Sequence, residues 1–119
     1  MKKVIVLGVA VLAALLLASC TTNKEPPLYY WYGYTNAVYD YIKLGNEDSN
    51  GKLLEVYQNL VDGQAEAARQ VPPPGVCADY GWMLIQSGKK EEGKDLLRKE
   101  MELYPESAAF IQNILRRVD

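Results

Sequence analysis

Three glycines divide residues 76–105 in a way that leaves few folds open to this chain. The stretch reads VCADYGWMLIQSGKKEEGKDLLRKEMELYP, and its apolar residues recur at helical spacing. Gly88 lies between two helical runs, where a glycine can adopt the left-handed conformation of a tight turn. Gly81 and Gly93 lie one on each run, and without side chains they let two helices approach closely. The stretch therefore predicts an antiparallel helical hairpin.

The same stretch resembles one tetratricopeptide repeat, a helix pair of about 34 residues. The large and small residues of that pattern fall without a gap on Cys77, Tyr80, Gly81, Leu84, Gly88, Gly93, Leu97 and the closing Pro105. Two residues depart from it, because Cys77 replaces a large aromatic residue and Glu100 stands where a small alanine is usual. The resemblance leaves Glu100 either half-buried and paired, or facing an altered groove.

Helical periodicity also dominates the sequence before the hairpin. We expect a first helix, capped by Thr35 or Asn36, that stops at Gly45. A polar loop would follow over residues 46–51. A second helix would then run over about residues 51–70, since its apolar residues keep a single stripe over that span.

The prolines at 72–74 would end the second helix, and a last helix would start near Ser107. That last helix would cover the exposed end of the repeat, as capping helices do in solenoids. Strand signals are nearly absent. The predicted fold class is therefore all-α, a short right-handed stack of about five helices over residues 34–119.

The first 19 residues are predicted to be an export signal rather than part of this domain. Lys2 and Lys3 precede an uncharged, mostly apolar run over residues 4–17. As a helix this run would span about 21 Å, which is short of the roughly 30 Å hydrocarbon core of a bilayer. The pattern is typical of a signal peptide that is removed after export.

Two small residues stand directly before Cys20 in the sequence Leu17-Ala18-Ser19-Cys20, at the end of the apolar run. This resembles the lipobox of bacterial lipoproteins. The resemblance implies cleavage after Ser19 and a diacylglyceryl group on the Cys20 thiol, and Thr21 in place of aspartate implies the outer membrane. Several acyl chains would anchor the protein stably, on the periplasmic face. The alternative is an ordinary secretory signal that happens to carry a cysteine.

Composition argues against nucleic-acid binding and catalysis. The signal holds two of the 13 basic residues and none of the 15 acidic ones, so the mature net charge is −4, and no basic stripe appears. The chain has no histidine, which removes the commonest general base and metal ligand. We therefore expect no enzyme activity, no small-molecule substrate, and no cofactor apart from the lipid on Cys20. Because lipid would occupy Cys20, Cys77 has no partner within the chain. Cys77 is then a small apolar residue buried in the core, a free thiol, or one half of a disulfide between two molecules.

Residues 28–42 hold six of the nine tyrosines and one of the two tryptophans. Residues 20–33 are interpreted as a lipidated tether followed by this aromatic run. Successive aromatic residues cannot all face one core, which leaves three roles open: sealing the end of the stack, contacting a partner, or contacting lipid headgroups. The candidate partner contacts are Tyr30, Trp31, Tyr34 and Tyr39, together with Trp82 and Glu100 in a groove of the 77–103 helices.

The order of these parts is similar to that in a family of small uncharacterised Gram-negative lipoproteins. The most specific shared pieces are Leu28-Tyr29-Tyr30-Trp31 with Tyr34, then Pro74-Gly75, Gly81, Gly88, and the run from Glu100 to Ser107. Members are typically encoded beside a lipoprotein that resembles the curli-secretion pore. The resemblance thus implies a pore-forming or assembly lipoprotein as partner.

Three functions follow as hypotheses. The leading one is a non-enzymatic accessory subunit, anchored in the outer membrane, that docks on such a lipoprotein. The second is a periplasmic chaperone or pilot that binds peptide segments transiently in a helical groove. The third is a lipoprotein that binds the cell wall.

Overall fold

A computed structural model of the chain describes residues 1–17 and 23–119. Every regular element in these residues is helical, and the described part contains no strand. The elements are α1 (Lys2–Leu17), α2 (Tyr34–Leu44), α3 (Glu47–Asp62), α4 (Val76–Gln86), α5 (Lys90–Leu103), a short 3₁₀ turn (Pro105–Ser107) and α6 (Ala108–Val118). The all-α prediction and the five helices predicted after the signal segment are confirmed. The handedness of the stack and its tetratricopeptide character remain predictions.

Of the helices in the described ranges, none combines the length and apolar character needed to cross a membrane.

The turn between α2 and α3 is shorter than the sequence suggested. Gly45 adopts the left-handed conformation after α2, and its N–H donates to Tyr41 O at 3.0 Å, as the stop at this glycine predicted. The loop predicted at 46–51 is wrong, because Asn46 caps α3 directly. Its side chain accepts from Ser49 N at 2.8 Å, and Ser49 Oγ accepts from Asn46 N at 3.2 Å. These reciprocal bonds satisfy free donors at the helix start, so the polar residues form its first turn.

The predicted end of the second helix and the predicted cap of the first are also wrong. Helix α3 ends at Asp62, and the backbone from Gly63 to the start of α4 is irregular rather than helical as far as residue 70. Helix α2 begins at Tyr34 after a left-handed Gly33, without a side-chain cap from Thr35 or Asn36.

The α4–α5 hairpin forms as the three glycines predicted. Gly88 has φ 92 in the turn. A methyl group on Gly81 would meet Gly93 O at 2.6 Å, and one on Gly93 would overlap Gly81 O. The two backbones therefore touch where neither residue carries a side chain. Pro105 follows the end of α5 and opens the 3₁₀ turn, consistent with its predicted closing role.

The core lies mainly between α3 and α4. Its centre consists of buried side chains from three helices, namely Ala37, Leu53, Tyr57, Leu60, Val76, Tyr80 and Leu84. Leu97 of α5 and Ile111 of α6 are also buried, so both helices contribute to the interior. Cys77 is fully buried, and this burial raises the pKa of its thiol to about 11. Its environment fits the interpretation as a small apolar core residue.

The segment before α2 is attached to the helical body. Ala68 N donates to Pro27 O at 2.9 Å, and Arg69 N donates to Leu28 O at 3.4 Å. The hydroxyl of Tyr32 donates to Gly63 O. Residues 27 and 28 are therefore bonded to the helical body, although the sequence predicts that the helical domain starts at residue 34.

Candidate interaction surface

The aromatic residues before α2 pair with one another two positions apart in the chain. The ring centroids of Tyr29 and Trp31 lie 6.1 Å apart. Those of Tyr30 and Tyr32 lie 6.3 Å apart. Tyr32 has φ 48 and Gly33 has φ 75, so the backbone turns at these two residues before α2 begins. We call residues 28–32 the aromatic edge.

A continuous series of rings links the aromatic edge to the core. Trp31 lies 5.9 Å from Tyr34, and Tyr34 lies 5.8 Å from Tyr57 in an edge-to-face arrangement. Tyr57 then stacks on Tyr80 at 5.8 Å. Such pairs stabilise by about 0.5–1.5 kcal/mol each beyond the area they bury. Tyr34 and its inner neighbours therefore stabilise the fold, whatever the outermost rings contact.

Gln64 holds the aromatic edge in place. Its side chain is 2% exposed. Its Oε1 accepts from Tyr30 N at 2.9 Å, and its Nε2 donates to Tyr30 O at 2.8 Å and to Leu60 O at 3.1 Å. One amide thus satisfies both backbone groups of Tyr30. Nothing in the local sequence distinguishes this glutamine from an exposed one, because its partner lies 34 residues away.

An open groove crosses the exposed face of α4 between α2 and α6. Three adjoining cavities of 290, 380 and 350 Å³ share lining residues along it. We call it the α4 groove; its lining includes Tyr34, Val38, Tyr41, Ile42, Ala78, Asp79, Trp82, Met83, Phe110, Ile114 and Arg117. The groove thus uses α2 and α6 as its walls, rather than the 77–103 hairpin alone.

Two large side chains in the α4 groove are exposed to solvent. Trp82 is 42% exposed on α4, and Phe110 is 65% exposed on α6. Both line the same 290 Å³ cavity, where Arg117 supplies a charge at the edge. Exposed aromatic residues grouped in a concave site are typical of interaction surfaces. Trp82, one of the predicted contacts, is therefore accessible from solvent. Phe110 is a further candidate, although its place in the apolar stripe of α6 does not distinguish it in the sequence from a core residue.

Asp79 is the polar feature common to the whole groove, since it lines all three cavities. Asp79 is exposed at the surface of the groove, and partial desolvation there raises the pKa of its carboxyl group. It makes no ion pair with the described residues. Asp79 also lies in the first turn of α4, where the helix dipole favours a negative charge. The groove can therefore offer a carboxylate to a bound segment.

Glu100 is buried, although it lines the 350 Å³ cavity of the α4 groove. The residue is 2% exposed, and its Oε1 accepts from Gly75 N at 2.7 Å. Gly75 precedes α4 and has no side chain with which to cap it, so Glu100 supplies a carboxylate to that helix start from α5. Its Oε2 has no hydrogen-bond partner among the described residues. Glu100 therefore supports the start of α4, and its role as a partner contact stays a prediction.

The remaining predicted site residues are Tyr39 and Cys20. Tyr39 is 59% exposed on α2, does not line the α4 groove, and has the Lys43 ammonium 5.4 Å from its ring centroid. Cys20, the predicted lipidation site, lies outside the described residues. No group of His, Cys, Asp or Glu suited to holding a metal ion is found within residues 1–17 and 23–119.

Comparison with known proteins gives a family but no described activity. No curated protein matches the chain, and no solved structure does. The model of a domain of unknown function, DUF4810, matches residues 28–114. That match starts at the aromatic edge and ends in α6, so it spans the helical body together with the segment attached to it. The chain therefore belongs to the DUF4810 family.

Proposed function

We propose that this protein is a non-enzymatic lipoprotein that binds another protein through the α4 groove. Lipid on Cys20 would anchor it in the outer membrane, facing the periplasm. The lipobox-like sequence before Cys20 supports the anchor. The observation that carries the binding function is the pair of exposed aromatic residues, Trp82 and Phe110, in one open cavity.

The groove has the properties that recognition of a peptide segment requires. Its walls are two helices, and its lining is mostly apolar. Burying apolar side chains against Trp82 and Phe110 would contribute about 25 cal/mol for each Å² removed from water, before the cost of association is subtracted. Asp79 would fix the orientation of the bound segment by accepting hydrogen bonds or pairing with a cation. A mostly apolar groove, with Asp79 lining all three of its cavities, thus favours protein binding over catalysis.

The class of partner comes from the family resemblance noted in the sequence. It implies a pore-forming or assembly lipoprotein, similar to the curli-secretion pore, in the same membrane. A periplasmic chaperone or pilot is the second candidate, since the openness of the groove also suits transient capture of an extended segment. A stable stoichiometric complex would favour the first function, and exchange among several peptides would favour the second.

Photocrosslinking in cells tests whether the groove is the binding site. A photoreactive residue replaces Trp82 in one strain and Tyr39 in another. Both positions are exposed on helices of the body, but only Trp82 lines the groove. We expect one dominant outer-membrane adduct from position 82 and much less from position 39. Equal adducts from both positions, or adducts from position 39 alone, would contradict binding in the groove.

The anchor requires a separate test. Mass spectrometry of the purified protein should show a chain that begins at Cys20 and carries acyl groups. The Cys20→Ser variant should leave the outer-membrane fraction while keeping its helical circular dichroism. Retention of Cys20→Ser in that membrane without acylation would argue against anchoring by lipid at this residue.

A further inference from the structure

We propose that the aromatic edge, residues 28–32, inserts its exposed rings into the interfacial layer of the membrane that holds the lipid anchor. The inference rests on the proposed lipidation of Cys20. It assigns the aromatic edge and the α4 groove to different partners. The edge would contact lipid, and the groove would remain available to protein.

The first argument is the exposure that remains after the edge has packed on the body. Leu28 is 56% exposed, Trp31 50% and Tyr32 43%. Sealing the end of the stack accounts for the backbone bonds to Gln64, for the half-buried Tyr29 and for the bond from the Tyr32 hydroxyl to Gly63 O. It still leaves about half of Leu28 and Trp31, and somewhat less of Tyr32, exposed to water. An exposed apolar and aromatic cluster of this kind indicates a further contact.

The second argument is the chemistry of the exposed side chains. Tryptophan and tyrosine combine an apolar ring with a polar N–H or O–H group, and both are enriched where a membrane meets water. Residues 28–39 contain no charged side chain, so no ionised group of this segment would have to lose its hydration there. Leu28 adds an aliphatic side chain at the start of the edge.

The third argument is the distance to the anchor. The chain is fixed to the body at Pro27, whose carbonyl accepts from Ala68 N at 2.9 Å. Only seven residue steps separate Cys20 from Pro27, and a fully extended chain covers at most about 25 Å over that length. The aromatic edge begins at the next residue. It is therefore the part of the body that the anchor joins most directly to the bilayer.

The orientation is also compatible with the proposed groove function. The mature net charge of −4 gives the body no general attraction to anionic lipid, so the contact would be local and would depend on the aromatic edge. Trp82 lines the α4 groove, whereas Trp31 does not line it. The two tryptophans thus report separately on the edge and on the groove.

Fluorescence of single-tryptophan variants tests the inference. The mature lipidated Trp82→Phe protein retains only Trp31, and the mature lipidated Trp31→Phe protein retains only Trp82. Each variant is reconstituted in phosphatidylethanolamine–phosphatidylcholine vesicles with and without brominated acyl chains, which quench tryptophan within the bilayer. We expect vesicles to shift the emission of Trp31 to shorter wavelength and brominated lipid to quench it. Trp82 is expected to keep its wavelength and intensity.

Each other outcome overturns a specific statement. If the protein floats with the vesicles but Trp31 is not quenched, membrane contact by the aromatic edge is overturned and the anchor stands. Crosslinks from position 31 would then show whether a protein contacts the edge. Equal quenching of both tryptophans would overturn the separation of edge and groove. Failure of the acylated protein to float would overturn the anchor, and the inference with it. Circular dichroism of both variants checks that the fold is unchanged.

Discussion

Replacing Gly93 by alanine should destabilise the protein through the α4–α5 contact. The added methyl would overlap Gly81 O and would lie 2.6 Å from Ile85 Cγ1 and 3.1 Å from Ile85 N. Two of these three atoms belong to the backbone of α4, so changing a rotamer cannot relieve the overlap. The helices would have to separate, and this would loosen the packing of Leu97, which is fully buried on α5.

The magnitude follows from two opposing effects. Overpacking a tight interface costs about 1–3 kcal/mol, and a backbone overlap lies at the upper end of that range. Alanine in place of glycine within a helix contributes about 1 kcal/mol in the other direction. We expect a net loss of about 1–2 kcal/mol, which lowers the Tm of a domain of this size by roughly 5–15 °C. Thermal unfolding of the purified protein, followed by circular dichroism, measures it.

Gly51 provides a matched control. It lies within α3, and a methyl group added there would meet nothing within 4 Å. Gly51→Ala should therefore raise the stability by about 0.5–1 kcal/mol. The same substitution is thus expected to have opposite signs at two helical glycines. A Gly93→Ala protein at least as stable as wild type would refute the close approach of α4 and α5.

Three further predictions test the buried polar and thiol groups. Gln64→Leu should lower the unfolding free energy by about 2–3 kcal/mol in a urea titration, because both backbone groups of Tyr30 lose their partner. Chymotrypsin should also cleave this variant faster at the aromatic edge. As the control, Gln112→Leu at an exposed position should change the unfolding free energy by less than about 0.5 kcal/mol. Glu100→Ala should lower the unfolding free energy by about 1–3 kcal/mol, measured by thermal unfolding. Glu100→Gln should retain most of the stability, because its amide oxygen can still accept from Gly75 N. Equal losses in the two variants would contradict this. Burial raises the pKa of the Cys77 thiol from 9.0 to about 11, so the folded state favours the neutral thiol. The difference in unfolding free energy between wild type and Cys77→Ala should therefore be largest below pH 9 and should decline as the pH rises towards 11. A difference that stays constant over this range would contradict the prediction.

The features predicted correctly from sequence depend on local chemistry. The turn at Gly88 and the stop at Gly45 each follow from one glycine that adopts a left-handed conformation. The contact of Gly81 with Gly93 follows from the spacing of small residues within one hairpin. In each case the determining residues lie within about a dozen positions of one another, so a pattern in the sequence can show them.

The errors have two physical origins. The polar character of residues 46–51 predicts a loop, although the spacing of Asn46 and Ser49 matches a capping box and is itself a signal for a helix start. The irregular backbone after Gly63 could not be predicted in the same way. Its turns bind the chain at Pro27 and Leu28, and these partners lie about forty residues earlier in the sequence. The buried role of Gln64 depends on that same long-range contact.

The structure also decides which substitutions can separate binding from folding. Tyr34 lines the groove, but its ring also lies 5.8 Å from the buried Tyr57. Loss of binding in Trp31→Ala/Tyr34→Ala would therefore be ambiguous, because the same change removes two links in the series of rings that joins the edge to the core. Trp82 is exposed and absent from that series. If Trp82→Ala loses partner binding at unchanged Tm, the loss can be assigned to the groove. A lowered Tm would instead show that Trp82 contributes to packing, and the groove would then be tested by substituting Phe110.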